Sequence, residues 1–404
     1  VPGTGGSGLA PAPSDRRANL VDLIGPLRPE PGAASVSGSD LREFRGHDLD
    51  RPLHLVTGRG PVRVGIVGLD HDHGLMLAGR LRLAGARIVA YHADGRRSRA
   101  AMTAMALPGR VRARSVEGVC EADDIDLVVT AAIPSRRAAV AVRALRAGKH
   151  VLADKPGVTT ADDLAAVESA AVASGRRWWV LFGERFENRA VGQACVRARL
   201  GDIGRVVSVL GLGPHRMGAA GRPAWFWDPD ATGGILVDIG SHQVDQFLAA
   251  TGARPDPGGV QVVASAVGNV ASPAHPAMQD VGMMVLRAGG AVGTHRVDYL
   301  SPRGLRTWGD GRLMVVGTEG TLEVRTNVDV GGRRGREHLI VADGRGVRRL
   351  DVTAQPVDWA RRLLADVRDG SDTLLGHDHT VAVSRITLAA QAVAGAWSSE
   401  GGQS

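Results

Sequence analysis

The stretch VRVGIVGLDHDHG (62–74) decides how this chain is read. Its near-continuous apolar run is what a strand buried on both faces requires, and Gly68 ends that run in a tight turn. LMLAGRLRLAG (75–85) follows with helical spacing. Strand, glycine turn and helix are the setting in which G-x-G-x-x-G binds a dinucleotide, its pyrophosphate resting on N–H groups at the helix start. Here Gly68 fills the first position, Asp70 the second and His73 the third, with Gly74 one place late. A carboxylate beside a diphosphate repels it. Protonated His71 or His73 would offset part of that repulsion.

Outward from this turn the strand–helix alternation continues. RIVAYHAD (87–94) reads as a second strand, whose Asp94 is placed to accept both ribose hydroxyls and favours NAD. Arg96 and Arg97 are close enough in sequence to pair with a 2′-phosphate, which keeps NADP open. IDLVVTAA (125–132), HVLAD (150–154) and RWWVLF (177–182) read as further strands, with helices at 135–148 and after a Thr160 cap. This predicts parallel βαβ units, a Rossmann-type doubly wound sheet over 61–185.

Beyond it the order changes. A helix near 188–200 and a strand at 205–210 precede GGILVDIGSHQVDQFLAATG (233–252), which reads as helical. Strands then follow in hairpin order, one turning at Asp343–Gly344, before two terminal helices around 358–367 and 380–397. Residues 186–404 are expected to form an α+β domain on a mostly antiparallel, open sheet. Residues 1–60, rich in Gly, Pro, Ser and Arg, are expected to be a disordered or loosely packed extension.

Composition narrows the function. The 404 residues are 44% hydrophobic and 23% charged, ordinary for a globular protein. The net charge of +7 comes from scattered arginines without interleaved aromatics, so no nucleic-acid partner is expected. No apolar run reaches membrane length, and no charged segment leads into an apolar leader core. Cys120 and Cys195 lack metal or disulfide spacing, which suits a reducing, cytoplasmic compartment. HDH occurs at 71–73 and at 377–379, but alternate residues at a helix start are expected on different faces, so no metal site is expected. Asp378 reads as an N-cap.

Two further patterns carry chemistry. AGKHVLADKPG (147–157) contains Lys149 and Lys155, the only lysines among 49 basic residues. A compact, rotating ammonium does what a flat guanidinium fork cannot, which marks Lys155 for chemistry and leaves Lys149 a structural place before the strand. Asp238, His242 and Asp245 fall at i, i+4 and i+7, one polar stripe on an apolar helix. Flanking carboxylates are expected to raise the His242 pKa and fix its tautomer, as suits a general base.

Together these segments resemble the glucose–fructose oxidoreductase, inositol dehydrogenase and rhizopine-catabolism family (Gfo/Idh/MocA). The likeness runs over about 62–397. It rests on the strand at 62–68, IDLVVTAAIPS, AGKHVLADKPG, RFEN…LGDIGRV, WFWDPDATGGILVDIGSHQVD and VVGTEGTLEV. The family's Glu-Lys-Pro appears as Asp154-Lys155-Pro156, and its D-x-G-x-H-x-x-D is intact at 238–245. Arg137 stands where many members carry His.

The resemblance implies hydride transfer between NAD(P) and a secondary alcohol of a sugar, cyclitol or related polyol. Lys155 would bind the reacting hydroxyl, His242 would take its proton, and Asp238 would hold substrate or imidazole. Gly68, Asp70, His71, Asp72, His73, Asp94, Arg96, Pro134 and Lys155 would line the cofactor. His215 and Trp225, in the loop GPHRMGAAGRPAW (213–225), read either as substrate contacts or as ordinary loop packing. The family also implies a homodimer or homotetramer. Two alternatives stand beside this reading: an NAD-containing glycosidase of the same fold, and a non-catalytic binding or regulatory relative with a degenerate cofactor loop.

Overall fold

The computed structural model describes residues 60–95, 111–253 and 259–397. Residues 1–59, with most of the expected extension, and Arg96 and Arg97 lie outside the described residues.

Six parallel strands form the first sheet: β1 (Arg63–Leu69), β2 (Arg87–His92), β3 (Arg112–Ala113), β4 (Leu127–Ala131), β5 (His150–Asp154) and β6 (Trp178–Leu181). Their order is β3-β2-β1-β4-β5-β6, which reverses between β1 and β4. In such sheets ligands sit outside the carboxyl ends of the strands at that switch point. The connections run through α1 (His73–Leu83), α2 (Val116–Cys120), α3 (Pro134–Arg146) and α4 (Ala161–Ser174). β4 and β5 are buried along their whole length, as a sheet covered on both faces requires. Pro134 sits in the first turn of α3, where its missing N–H costs nothing, and the Thr160 side chain accepts the Asp163 N–H to cap α4.

α5 (Gly183–Phe186) and α6 (Arg189–Leu200) lead into a nine-stranded second sheet. Its strands are β7 (Val206–Pro214), β8 (Gln261–Gly268), β9 (Val281–Ala288), β10 (Ala291–Asp298), β11 (Arg312–Gly317), β12 (Gly320–Thr326), β13 (Glu337–Asp343), β14 (Gly346–Leu350) and β15 (Gly395–Ala396). They lie in the order β14-β13-β12-β11-β7-β10-β9-β8-β15. Only the β7/β10 and β8/β15 pairs are parallel, so the sheet is mostly antiparallel. Between β7 and β8 come α7 (Pro229–Thr232), α8 (Ile235–Asp238) and α9 (Gly240–Thr251); α10 (Trp359–Asp369) and α11 (His377–Ala392) follow β14. α9 packs on β7 and β10, and α11 on β8. β10 alternates buried and exposed positions, leaving an outer face where Leu210 and Val292 meet solvent.

Several local expectations change. The 233–252 segment is two helices broken at Ile239, and it begins only after Gly233 and Gly234, both at positive φ. Asp378 lies in the first turn of α11 rather than at its N-cap, which is Gly376. β7 runs on to Pro214, past the expected end at residue 210. Among the described residues, no helix is long and apolar enough to cross a membrane.

Candidate active site

The crevice at the switch point begins with Gly68. Its φ is +75°, and a Cβ there would lie 2.5 Å from Ala132 Cα, so only glycine fits. The third-glycine role, close contact between helix and strand, has moved one residue along. A Cβ on Gly74 would meet Leu69 Cδ2 at 2.6 Å and Ala131 Cβ at 3.1 Å. His73 is thereby released from the packing position and turns into the crevice.

The loop N–H groups are partly engaged. His71 N–H donates to the Ala131 carbonyl at 3.2 Å, and His73 N–H to His71 Nδ1 at 3.2 Å. Asp72 holds the N-cap position of α1 but makes no side-chain cap bond. Asp70 is half-buried beside the β4–α3 turn. Burial, then Asp94, raise its pKa, while the Ile133 backbone N–H and Arg136 draw it back. Asp94 is exposed just beyond β2, with Oδ1 3.2 Å from His92 Nε2.

His71 and His73 do not diverge as expected. Their ring centroids are 4.1 Å apart, and their ligand atoms lie within 4.8 Å of those of Asp154. His73 Nδ1 is 3.0 Å from Asp154 Oδ1. Burial, then His73, hold His71 neutral, with its pKa lowered to about 3, so it brings no charge to offset Asp70. Burial would raise the Asp154 carboxyl, but His73 and Arg137 pull it well below the carboxylate range.

Arg137 organises the turn that carries Lys155. It is fully buried, and its Nε donates to the Ala132 carbonyl at 2.8 Å. Nη1 donates to the carbonyls of Asp154, Lys155 and Pro156 at 3.0, 2.5 and 2.9 Å. Five donors in a rigid fork suit such a ring of carbonyls.

Lys155 Nζ reaches from the end of β5 to Asp238 Oδ1 on α8, at 2.8 Å. Tyr299 donates its hydroxyl to Asp238 Oδ2 at 2.9 Å. Burial alone would raise Asp238, but Lys155 and Tyr299 hold it well below the carboxylate range. His242 is buried beside them with no hydrogen-bond partner at Nδ1. The expected rise in its pKa is reversed: burial, then Lys155 and His215, push it well below the ordinary value. The flanking carboxylates are committed elsewhere. Asp245 accepts from Arg185 Nε and Nη2 at 2.7 and 2.6 Å, and His379 Nε2 lies 2.8 Å from its Oδ1. The second HDH segment thus supplies, in His379, a half-buried hydrogen-bond partner for buried Asp245.

Residues 62–182 match the oxidoreductase family with an NAD-binding Rossmann fold, and residues 194–323 match the GFO/IDH/MocA C-terminal domain. The chain belongs to the Gfo/Idh/MocA oxidoreductase family.

Like other proteins of this family, it has similar solved structures. A crystal structure of an oxidoreductase from Erwinia carotovora atroseptica is 34% identical, with a TM-score of 0.79, covering 83% of this chain and 100% of that one. A 1,5-anhydro-D-fructose reductase of Ensifer adhaerens is 28% identical over 45% of this chain and 54% of the relative. An inositol 2-dehydrogenase of Saccharopolyspora erythraea is 29% identical over 46% of this chain and 51% of the relative. The chain spans about half the length of these curated relatives.

Against the Gfo/Idh/MocA pattern, the residues present fit a dinucleotide. Gly68 and Gly74 keep the turn and the helix approach, Pro134 opens α3 at the switch point, and Asp94 lies two residues past β2. Trp225 brings the 213–225 loop over this site, its ring 6.4 Å from that of His71. His215 is buried, with its ring 6.2 Å from Tyr299. Two site residues escaped the sequence reading. Tyr299 had a signal, being one of two tyrosines in the chain. Glu184 had a weaker one, its place just after β6 at the carboxyl edge of the first sheet. Gln243 and Gln246 donate their side-chain amides to its Oε2 at 3.1 and 3.0 Å.

Proposed function

We propose that this chain is a nicotinamide-dependent dehydrogenase acting on a secondary alcohol of a sugar, cyclitol or related polyol. The observation that carries the reading is the 2.8 Å ion pair joining Lys155, at the carboxyl edge of the first sheet, to Asp238 on the second domain beside His242. The bound cofactor supplies the hydride acceptor. Gly68, Asp70, His71, Asp72, His73, Asp94, Pro134 and Lys155 line it; residues 61–185 hold it and 186–404 shape the substrate side. Asp94 favours NAD.

Lys155 donates to the reacting oxygen and stabilises negative charge as it develops there. Asp238, fixed by Tyr299, sets the direction of that ammonium. His242, neutral before reaction, takes the hydroxyl proton on a ring nitrogen. The names of the two curated relatives support a polyol-class substrate.

The exposed apolar positions on the second sheet, Leu210 and Val292 among them, support pairing into a homodimer or homotetramer. The buried free thiols Cys120 and Cys195 support a cytoplasmic setting. A non-catalytic binding protein is the second reading, favoured by the engagement of the His71 and His73 N–H groups. Calorimetric titration with NAD and NADP, followed by NADH formation across a panel of polyols, separates the two. Binding with turnover supports the dehydrogenase; no dinucleotide binding at millimolar concentration sinks it.

A further inference from the structure

The dehydrogenase reading leaves one step without a residue. Burial and the Lys155 ammonium disfavour an imidazolium on His242, so the substrate's proton is passed on. A group that holds a proton at neutral pH is needed close by.

Glu184 meets that need by its geometry. Its Oε2 accepts the Gln243 and Gln246 amides, both from α9, the helix that carries His242. Its Oε1 faces His215 Nε2 at 3.9 Å. His215 Nδ1 lies 3.1 Å from the Gly213 carbonyl oxygen, which can only accept. Nδ1 therefore carries the ring proton, and Nε2 turns a lone pair towards the carboxyl. At 3.9 Å the two atoms are not hydrogen-bonded at rest, so a proton passes between them only when they close up.

Charges on the neighbouring elements decide where that proton rests. Burial, then Lys155, lower His215 to about 4, so the imidazole gives the proton up. Burial raises the Glu184 acid to about 7; Lys155 from β5 draws it down, and Asp245 from α9 pushes it up. Asp245 is itself paired with Arg185, on the same short helix as Glu184, and with His379 from α11. The Lys155 ammonium bears on Glu184, His215 and His242 alike.

We propose that Glu184 and His215 form the proton-exchange pair of this site. As the substrate O–H bond breaks, an N–H bond forms on His242. The His242 N–H bond then breaks as one forms on His215 Nε2, and that bond breaks in turn as an O–H bond forms on Oε1 of the ionised Glu184 carboxylate. The electron pair of the broken C–H bond leaves as hydride to the oxidised nicotinamide. The reduction direction runs the same steps backwards. The inference rests on the dehydrogenase reading and supplies its missing proton acceptor.

The test has two arms. Difference infrared titration of the cofactor-free protein, wild type against Glu184→Gln, reads the carboxyl directly. A midpoint near neutral that disappears in the variant supports the proposal; a midpoint in the ordinary glutamate range, about 4.3, overturns it. This arm needs no substrate, so absent NAD binding counts against the dehydrogenase reading alone. The second arm is the pH profile of kcat on the best polyol. Glu184→Gln keeps an oxygen for both amides, so fold by circular dichroism, KM and NAD affinity should stay within about twofold. Its kcat should fall at least about tenfold, with the near-neutral inflection gone and partly restored in Glu184→Asp. A variant that keeps both rate and inflection overturns the proposal.

Discussion

Arg137 and Asp154 hold each other in the interior, Nη2 lying 3.1 Å from Oδ2, with the two residues 0% and 1% exposed. The contact is close but not aligned as a hydrogen bond, and both atoms lack any other partner. These are two of the positions where the chain departs from the family pattern, and they compensate. The shorter carboxylate sits beside the larger cation, which in turn ties down the backbone of Asp154, Lys155 and Pro156.

Removing Arg137 should therefore cost more than a surface charge. Arg137→Ala leaves the buried Asp154 carboxylate with only the His73 hydrogen bond and strips four backbone carbonyls of their donor, and should lose on the order of 3–5 kcal/mol in urea denaturation. The Asp154→Glu, Arg137→His double variant should lose less than the sum of the two single losses. Additive losses would show that the two positions are not matched.

Lys155→Arg should keep the fold and lose more than about tenfold in kcat, at least ~1.4 kcal/mol of transition-state stabilisation. Tyr299→Phe, which removes one hydrogen bond to Asp238, should cost less, about 1 kcal/mol. Steady-state kinetics on the best polyol checks both, and near-wild-type turnover in Lys155→Arg removes that residue from the chemistry.

Acid should destabilise this protein earlier than carboxylates alone would. His295 is buried with both ring nitrogens unpartnered, and burial lowers its pKa to about 3. The unfolded chain takes up that proton near the ordinary value of about 6.5. Below that the unfolded state binds more protons, so stability is full above about 6.5 and falls as the pH drops towards the folded value. His150 and His215, both lowered to about 4 mainly by burial, add to the same limb. His295→Leu should flatten the loss between pH 6.5 and 4, measured as urea midpoint against pH; an unchanged slope would contradict this.

Asp70→Gly should tighten dinucleotide binding by about 1 kcal/mol through relief of repulsion. Calorimetry decides it. If wild type binds neither NAD nor NADP and the variant gains nothing, the turn after β1 is no longer a phosphate site.

The outer sheet face predicts association. Light scattering at micromolar concentration should show a dimer or larger, and Leu210→Glu with Val292→Glu should yield monomer. Only monomer in the wild type would contradict it.

Much of the architecture was legible because burial on both faces writes apolar runs, and Gly68 marks where β1 must turn against Ala132. Lys155 and Asp238 were legible as members of motifs, and folding brings them into contact. What periodicity could not supply were partners distant in sequence. Asp245 looked like a neighbour of His242, yet Arg185 and His379 claim it from other helices. The break at Ile239 likewise separated Asp238 from the helix it seemed to share. Glu184 offered only its place just after β6, because its character arises from burial and from amides on α9.

The Lys155–Asp238 bridge makes the site a clutch between two bodies. Its ammonium is mounted on the first sheet and its carboxylate on the second domain. The 2.8 Å contact exists only while the two are docked. A lone first or second domain therefore holds half of a charge pair and no assembled crevice. On the dehydrogenase reading, the charge pair that the reaction uses belongs to neither body by itself and is made by their docking.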